Sequence, residues 1–502
     1  MQQRFFHWQL TFAEVFALRG GMDVFLGNPP WVKVEWSEAG VLGDIEPLLN
    51  LRKMSAKEVA DRRREVLSSA AFADLYLSDL ARTQGEGSFV ASAGNYPLLR
   101  RVQANLYKCF LEACWRGMSS DGTVGLWHQP GFLDDPSGGA LRSMYYSTAK
   151  LGLRFRNELM LFAEIGLPRP FAASVCVGAA QREPSVLTLS NLLHPRTADE
   201  SLAHDGAGAV PGIKSNDGSW DLRGHRSRVV RIDDGALMLF GDLYDVPGTP
   251  PREARFPVVH SGELLDVLRR FTEMPTKLGS LGGQYFCTEH FHETNQQKDG
   301  TIQRDTRTPS ALGEWIVSGP HFYVATPFNK TPNEGCSSKG DYSSLDLTQI
   351  ADDYLPRTNY VPACSPAEYR QRTPHWNGKP VTDFYRYINR RMVAPTGERT
   401  LIPSIIPPAA AHVDLVFSVA FRRSRDLVDF AASAASLPID FFVKSTGKGD
   451  ARNDLLAQLP LLTPETAVYA RHRALRLNCL TTHYADLWHE VATPEIAKDG
   501  FT

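Results

Sequence analysis

The chain reads as an α/β protein: part of a doubly wound sheet, then a second half of short strands and long loops. Three observations predict this. Helix-like and strand-like segments alternate up to about Gln181. A short apolar run, "DVFLG", stops in "NPPW", as a buried strand stops at a carboxyl-end loop. From residue 256 a helix opens a stretch in which short strands and long loops dominate to about residue 410.

The elements follow in order. Arg4 to Arg19 predicts one helix, with Phe5, Trp8, Phe12, Val15 and Phe16 on a single face. "DVFLG" is the first strand. "SAKEVADRRREVL", "FADLYLSDLAR" and the amphipathic "NLYKCFLEACWRGM" predict helices, and "DGTVGLWHQPGFL" predicts turn, strand and loop. "LRSMYYSTAKL" reads as a helix, with "ELMLFAEIG" and "SVCVGAAQ" as the next strands. Residues 182–255, rich in Gly, Pro, Ser and Asp, read as a linker with irregular strands. "SGELLDVLRRFTEM" opens the second half, and "RSRDLVDFAASAASL" and "RNDLLAQL" read as late helices. The expected division is thus 1–181, 182–255 and 256–502.

Composition removes whole classes of function. At 43% hydrophobic and 22% charged, the 502 residues suit a soluble globular protein of two or three domains. No apolar run approaches the roughly 20 residues of a membrane span, and polar residues interrupt the start where a signal peptide would be apolar. Seven cysteines without a CxxC pair fit free thiols in a reducing cytoplasm. A formal charge of −2 confines any nucleic-acid surface to a local patch.

"NPPW" has the parts needed to hold a planar amino group. Asn28 offers a side-chain carbonyl, and Pro29 offers a main-chain carbonyl whose direction is restricted by Pro30. Trp31 offers a flat face for stacking, worth roughly 1–3 kcal/mol per base in single-strand binders. An exocyclic amine of adenine, a poor nucleophile because its lone pair is delocalised, needs two such acceptors to localise that pair. The competing reading is a rigid proline turn with Trp31 in the core.

These residues resemble motif IV of the amino-methylating DNA methyltransferases, in the N6-adenine form. The wider "FFHWQLTFAEVF…GMDVFLGNPPWVKVEW" is similar to large methylases of type IIG restriction-modification enzymes and of BREX and DISARM phage-defence systems. "NLYKCFLEACWRGMSSDGTVGLWHQPGFL" resembles the motif V region, and "FRNELMLFAEIGLPRPFAASVCVG" the motif VIII region. There Phe171 is the candidate to pack on a flipped base, with a plain core phenylalanine as the alternative. "GERTLIPSIIPPAAAHV" and "LPIDFFVKS" resemble target-recognition segments.

The resemblance implies the later half of a Rossmann-like methyltransferase sheet followed by a mixed α+β target-recognition region. It implies base flipping in double-stranded DNA and methyl transfer from S-adenosyl-L-methionine, with Asn28, Pro29, Pro30 and Trp31 at the target base. One departure stands out. The family's glycine-rich cofactor loop precedes motif IV, and here some two dozen residues do. "KLGSLGGQYF" and "STGKGDARND" read as turns, not as that loop. Two expectations follow: a split enzyme whose cofactor half sits on a second polypeptide, or a catalytically inactive DNA-recognition or scaffold protein of a defence system.

For DNA, "YRQRTPHWNGKPVTDFYRYINRRMVAPTGER" sets Arg370, Arg372, Lys379, Arg386, Arg390, Arg391 and Arg399 among Tyr369, Trp376, Phe384, Tyr385 and Tyr387. A solvated basic face is the alternative. Lys444 and Lys448 in "VKSTGKGDAR" read equally as phosphate grips or as a solvated turn. Cys287, His290 and His292 in "CTEHFHE" lack a second cluster to complete a metal site, so no metal is expected. The absence of a Pro-Cys dipeptide disfavours cytosine C5 chemistry, and no carboxylate–lysine cluster suggests a nuclease.

Overall fold

The computed structural model describes residues 7–45, 47, 62–103, 105–166, 169–180, 183–274, 276–338, 340–394, 397–498 and 500. The chain divides into two compact units, Met1–Val267 and Leu268–Thr502. It is mixed α/β, with several separate sheets.

A six-stranded sheet organises the first unit. β1 (Met22–Gly27) runs parallel to β2 (Met118–His128), with Phe25 opposite Val124 and Gly27 opposite Leu126. β3 (Ala149–Arg156) and β4 (Pro170–Val177) form a hairpin, and β4 inserts antiparallel between β2 and β3. β5 (Val186–Leu192) lies parallel to β3, and β6 (Val230–Ile232) lies antiparallel to β5. The order is β1-β2-β4-β3-β5-β6. Since β1, β2, β3 and β5 point the same way, the loops that follow them share one rim.

The helix expected from Arg4 to Arg19 is broken. In its described part, Phe12 (φ −115°, ψ 40°) separates a turn at Trp8–Thr11 from α1 (Ala13–Arg19). Trp8 stacks on Phe25 of β1 at 4.8 Å, a tertiary contact that overrides local helix preference. At the entry to β1 the backbone passes so close to β2 that a Cβ on Gly21 would lie 2.6 Å from Ser119 N. α2 (Ala70–Ala91) and α3 (Leu106–Gly117) belong to the crossover from β1 to β2. Asn105 caps α3 by accepting from Tyr107 N, and Tyr107, Leu111, Cys114 and Trp115 bury its apolar face. The expected helix "SAKEVADRRREVL" lies in part outside the described residues.

Two expectations need correcting. "ELMLFAEIG" is a loop, not a strand, because β3 begins at Ala149 and ends at Arg156. Residues 182–255 carry β5, β6, α5 (Pro195–Ala203) and α6 (Asp234–Tyr244), so they are part of the first unit rather than a linker. α4 (Gly139–Thr148, between β2 and β3) and β3 fasten the end of that stretch through buried arginines. Arg142 donates to Glu253 O (3.0 and 2.8 Å) and Phe132 O (3.0 Å), and Tyr146 OH donates to Ala254 O at 2.8 Å. Arg154 donates to Phe256 O and Pro257 O at 2.8 and 2.9 Å.

The segment "SGELLDVLRRFTEM" forms α7 (Glu263–Thr272). The second unit centres on a four-stranded antiparallel sheet of β7 (Tyr285–Glu289), β10 (Arg386–Arg390), β11 (Pro403–Ile406) and β12 (Val416–Phe421), ordered β11-β10-β12-β7. A second ladder pairs β8 (Ile302–Arg307) with β9 (Thr358–Pro362). Every residue of β12 is buried, and α8 (Ser424–Ala434) packs Phe430 against Tyr387 of β10 at 4.8 Å. Among the described residues, no helix is long and apolar enough to cross a membrane.

Candidate functional site

β1 ends at Gly27 and delivers the NPPW loop to the carboxyl rim. Asn28 is exposed, Pro29 buried, Pro30 exposed and Trp31 half-buried. Hydrogen bonds tie the loop to the start of α3: Leu106 N donates to Val32 O at 2.9 Å, and Lys33 bridges Asn105. Asn105 also reaches Gln129 Oε1 after β2 at 3.4 Å. The loops after β1 and β2 are therefore held together at one place.

Trp31 packs against a cluster built on Phe155, Phe171, Leu189, Leu192 and Ala198, joined by Trp127 and Phe162. Its indole Nε1 is buried and has no acceptor among the described residues. An unpartnered buried donor of this kind carries a desolvation cost of about 1–3 kcal/mol.

Phe171 cannot take the base-stacking role expected of it in this arrangement. It is fully buried, stacked on Phe155 at 5.0 Å, met edge-on by Phe162 at 5.0 Å and tilted against Trp127 at 5.7 Å. Its ring is core. Sequence reasoning missed Phe162, a half-buried aromatic in the loop after β3. Asn157 pins that loop by donating to Phe162 O and Ile165 O at 2.7 Å and accepting from Phe162 N. Reading "ELMLFAEIG" as a strand concealed it. At the end of β2, His128 is fully buried, with Nδ1 at 2.9 Å from Gln129 O and Nε2 at 2.8 Å from Ser174 Oγ. Burial pulls its pKa down to about 4, so it sits neutral as a structural group.

The two glycine-rich segments that the sequence offered as a cofactor loop are both turns. "KLGSLGGQYF" is a short turn leading into β7, with Gly282 at φ 53°. In "STGKGDARND", Gly447 (φ 69°) merely caps α9 (Leu437–Thr446). Neither follows a strand and opens a helix, the arrangement that lets a backbone cradle a nucleoside.

The basic stretch of the second unit is mostly spent inside the fold. Arg386 is fully buried, donates to Ala410 O and Phe384 O, and lies 3.3 Å from His290 Nε2. Burial lowers its pKa to about 9. Arg390 donates to Gly319 O and Phe322 O at 2.7 Å, and Arg391 sits between Glu289, Asp414 and Asp450 at 3.6–3.9 Å. The expectation of DNA contacts from Arg386, Arg390 and Arg391 is corrected: their guanidiniums satisfy carbonyls and carboxylates of the protein itself. Arg370 forms a two-pronged pair with Asp383 at 2.8 and 3.0 Å, and Arg372 binds Asp299 O and Thr301 Oγ1 at 2.8 Å. Arg399 donates to Ala435 O, Lys444 to Gly397 O, and Lys448 pairs with Asp454. Lys379 alone of the named set is exposed without an ion pair among the described residues.

Cys287 donates to Asn453 Oδ1, His290 stacks on His412 at 3.9 Å, and His292 lies 4.0 Å from Asp414. Among the described residues no three potential ligands gather as a metal site.

As a sequence, the chain matches no known protein family and no curated protein. Among solved structures it is similar to restriction-modification enzymes. The type IIL enzyme MmeI in complex with DNA aligns at a TM-score of 0.34 and 8% identity, over 95% of this chain and 55% of that one. The type IIG restriction endonuclease BpuSI aligns at 0.23 and 9%, over 80% and 51%. The ATP-dependent type ISP enzyme LlaBIII bound to DNA aligns at 0.19 and 11%, over 34% and 10%. The chain thus spans about half the length of the first two and a tenth of the third, and at these scores the likeness carries no weight for activity.

Proposed function

We propose that the first unit is the amino-holding part of an S-adenosyl-L-methionine-dependent N6-adenine DNA methyltransferase of the restriction-modification or phage-defence type. One observation carries this reading: the NPPW loop stands at the carboxyl rim of a parallel strand pair, with Asn28 open to a ligand and Trp31 lodged beside it. Asn28 Oδ1 and Pro29 O would each accept one amino hydrogen of an extruded adenine. Pro29 is buried and followed by proline, so its carbonyl direction is preset. Trp31, half-buried, would stack on the base with the part of its ring that is exposed. Stacking and the amino contacts together offset the few kcal/mol that flipping costs.

The cofactor would supply the methyl group, and on this reading a second polypeptide would hold it. β1 offers a place for that polypeptide. It is the edge strand of the sheet, and Val24 and Leu26 are 66% and 84% exposed. A strand edge left unpaired among the described residues invites another strand, and Val24 and Leu26 leave apolar surface on one face beside it. The second reading is a DNA-recognition or scaffold protein without catalysis, since neither glycine-rich segment of the sequence forms a strand-to-helix loop.

The test is calorimetric titration with S-adenosyl-L-methionine, alone and with the product of the adjacent upstream gene, followed by methyl transfer to DNA on whichever sample binds. Asn28→Ala should lower transfer at least about 100-fold, the scale of losing one pre-placed polar contact, while DNA binding persists. Transfer that survives the change overturns the assignment of Asn28. Binding by neither sample leaves the non-catalytic reading.

A further inference from the structure

Many cations of the second unit face carboxylates of the protein itself, whereas among the described residues Lys379 and Arg422 are exposed and face none, although Arg422 donates to two protein oxygens. His375–Trp376 pairs with Lys379–Pro380 in a two-residue hairpin, with Trp376 directly opposite Lys379. Its turn residues, Asn377 and Gly378, have φ of 51° and 76°, the left-handed pair of a tight type I′ turn. The hairpin is braced from below. Trp376 stacks on Phe286 of β7 at 6.0 Å and 10°, touches Phe384 at 5.4 Å, and lies 5.7 Å from the guanidinium of Arg422. Arg422 donates to Asn377 Oδ1 at 3.1 Å and to Gly283 O at 3.2 Å.

That bracing leaves a rigid tip that presents donors. Arg422 occupies the Asn377 carbonyl, so the amide NH2 remains for a ligand. Lys379 and Arg422 are exposed and neither is ion-paired, whereas the neighbouring Arg370 and Arg423 are neutralised by Asp383 and Asp426. We infer that this hairpin enters the major groove of double-stranded DNA, with Lys379 and Arg422 on flanking phosphates and the Asn377 amide at a purine edge. A two-stranded ribbon fits that groove, and its purine edges present the acceptors N7 and O6 that a donor-only tip requires. The inference rests on the DNA reading above and adds the contact surface to it.

The experiment is fluorescence anisotropy of a labelled 30-base-pair mixed-sequence duplex with the full chain, titrated across salt. Each phosphate contact contributes about 0.9 to the slope of log affinity against log salt. K379Q/R422Q should therefore flatten the slope by about 1.8, which is roughly 60-fold weaker binding at 0.1 M if affinities converge at 1 M. K379Q alone, which leaves the bracing of Trp376 intact, should flatten it by about 0.9, and R370Q should change nothing. If the intact chain binds DNA and K379Q and K379Q/R422Q bind with its slope, the hairpin assignment is overturned while the DNA reading stands. If the intact chain binds no DNA, both fall.

Discussion

His321 and His412 are fully buried in the second unit, and His128 in the first. Desolvation, the largest influence on each, holds their pKa values at about 4, 3 and 4 respectively. The hydrogen bonds explain why a second proton has no place. His412 Nδ1 faces Val413 O at 2.9 Å and so must donate, which leaves Nε2 to accept from Ser418 Oγ at 2.8 Å. In His321 the roles reverse: Nε2 donates to Arg357 O, and Nδ1 accepts from Ser318 N at 2.8 Å. The unfolded chain, with imidazoles near 6.5, binds more protons than the folded one as pH falls. Stability is therefore full above pH 6.5 and drains away between 6.5 and about 4. At pH 5.0 each buried imidazole costs about 2 kcal/mol, so His321 and His412 together remove about 4 kcal/mol from the second unit. For a unit of this size that lowers its melting temperature by about 8–16 °C. Scanning calorimetry at pH 7.5 and 5.0 reads the shift directly. His321→Gln with His412→Gln should remove the share of the difference that these two carry and leave that of His290, whose pKa burial beside His412 and Arg386 also holds well below the ordinary value, whatever the change does to stability at pH 7.5. A second-unit transition that moves by less than about 3 °C, or moves equally in the double variant, refutes the reasoning.

Arg142→Met strips the donors from Glu253 O, Phe132 O and Asp135 O, all part-buried or buried contacts; thermal unfolding should show the first unit less stable by about 3–5 kcal/mol. Phe171→Ala, cutting a ring out of the centre of the aromatic cluster, should cost about 3–5 kcal/mol by the same measurement; a loss under 1 kcal/mol would return Phe171 to the list of base contacts. Trp31→Phe deletes an indole N–H that has no acceptor among the described residues, so stability should change by less than about 1 kcal/mol in urea titrations. Gly21→Ala forces a Cβ against Ser119 N and the Gly117 carbonyl, and a lowered melting temperature of the first unit is expected.

How far the fold was legible depended on where the cations went. β1 could be read because an apolar run ends in two prolines, and α3 because Tyr107, Leu111, Cys114 and Trp115 keep helical spacing. β3 was displaced because its sequence, AKLGLRFR, places Arg154 and Arg156 where a buried strand should be apolar. The guanidinium of Arg154 is buried all the same, since Phe256 O and Pro257 O accept its hydrogen bonds. Arg386 misled in the same way on β10. A sequence shows a cation but not whether carbonyls or solvent face it. β6 escaped notice because three residues, flanked by turn formers, carry no period. At the candidate site the loop was legible and its surroundings were not. Phe162 reaches the rim only because Asn157, five residues earlier, folds the loop back on itself.

The geometry of β1 also bears on the split-enzyme proposal. The NPPW loop is held on one side by α3 and by the aromatic cluster, and on the other side β1 is an open edge. A strand added there in parallel would end at the same rim as β1 and bring its own carboxyl-end loop beside Asn28. An antiparallel addition would send that loop to the opposite end of the sheet, about six residues or roughly 20 Å away. On the split-enzyme proposal, a partner whose methyl-donor loop follows its strand would therefore pair with β1 in parallel. Hydrogen exchange reads this, because edge amides of Met22–Gly27 that exchange freely in the chain alone should become protected in the active complex. Restored methyl transfer without that protection would separate the NPPW loop from the sheet edge and dismiss β1 as the assembly surface.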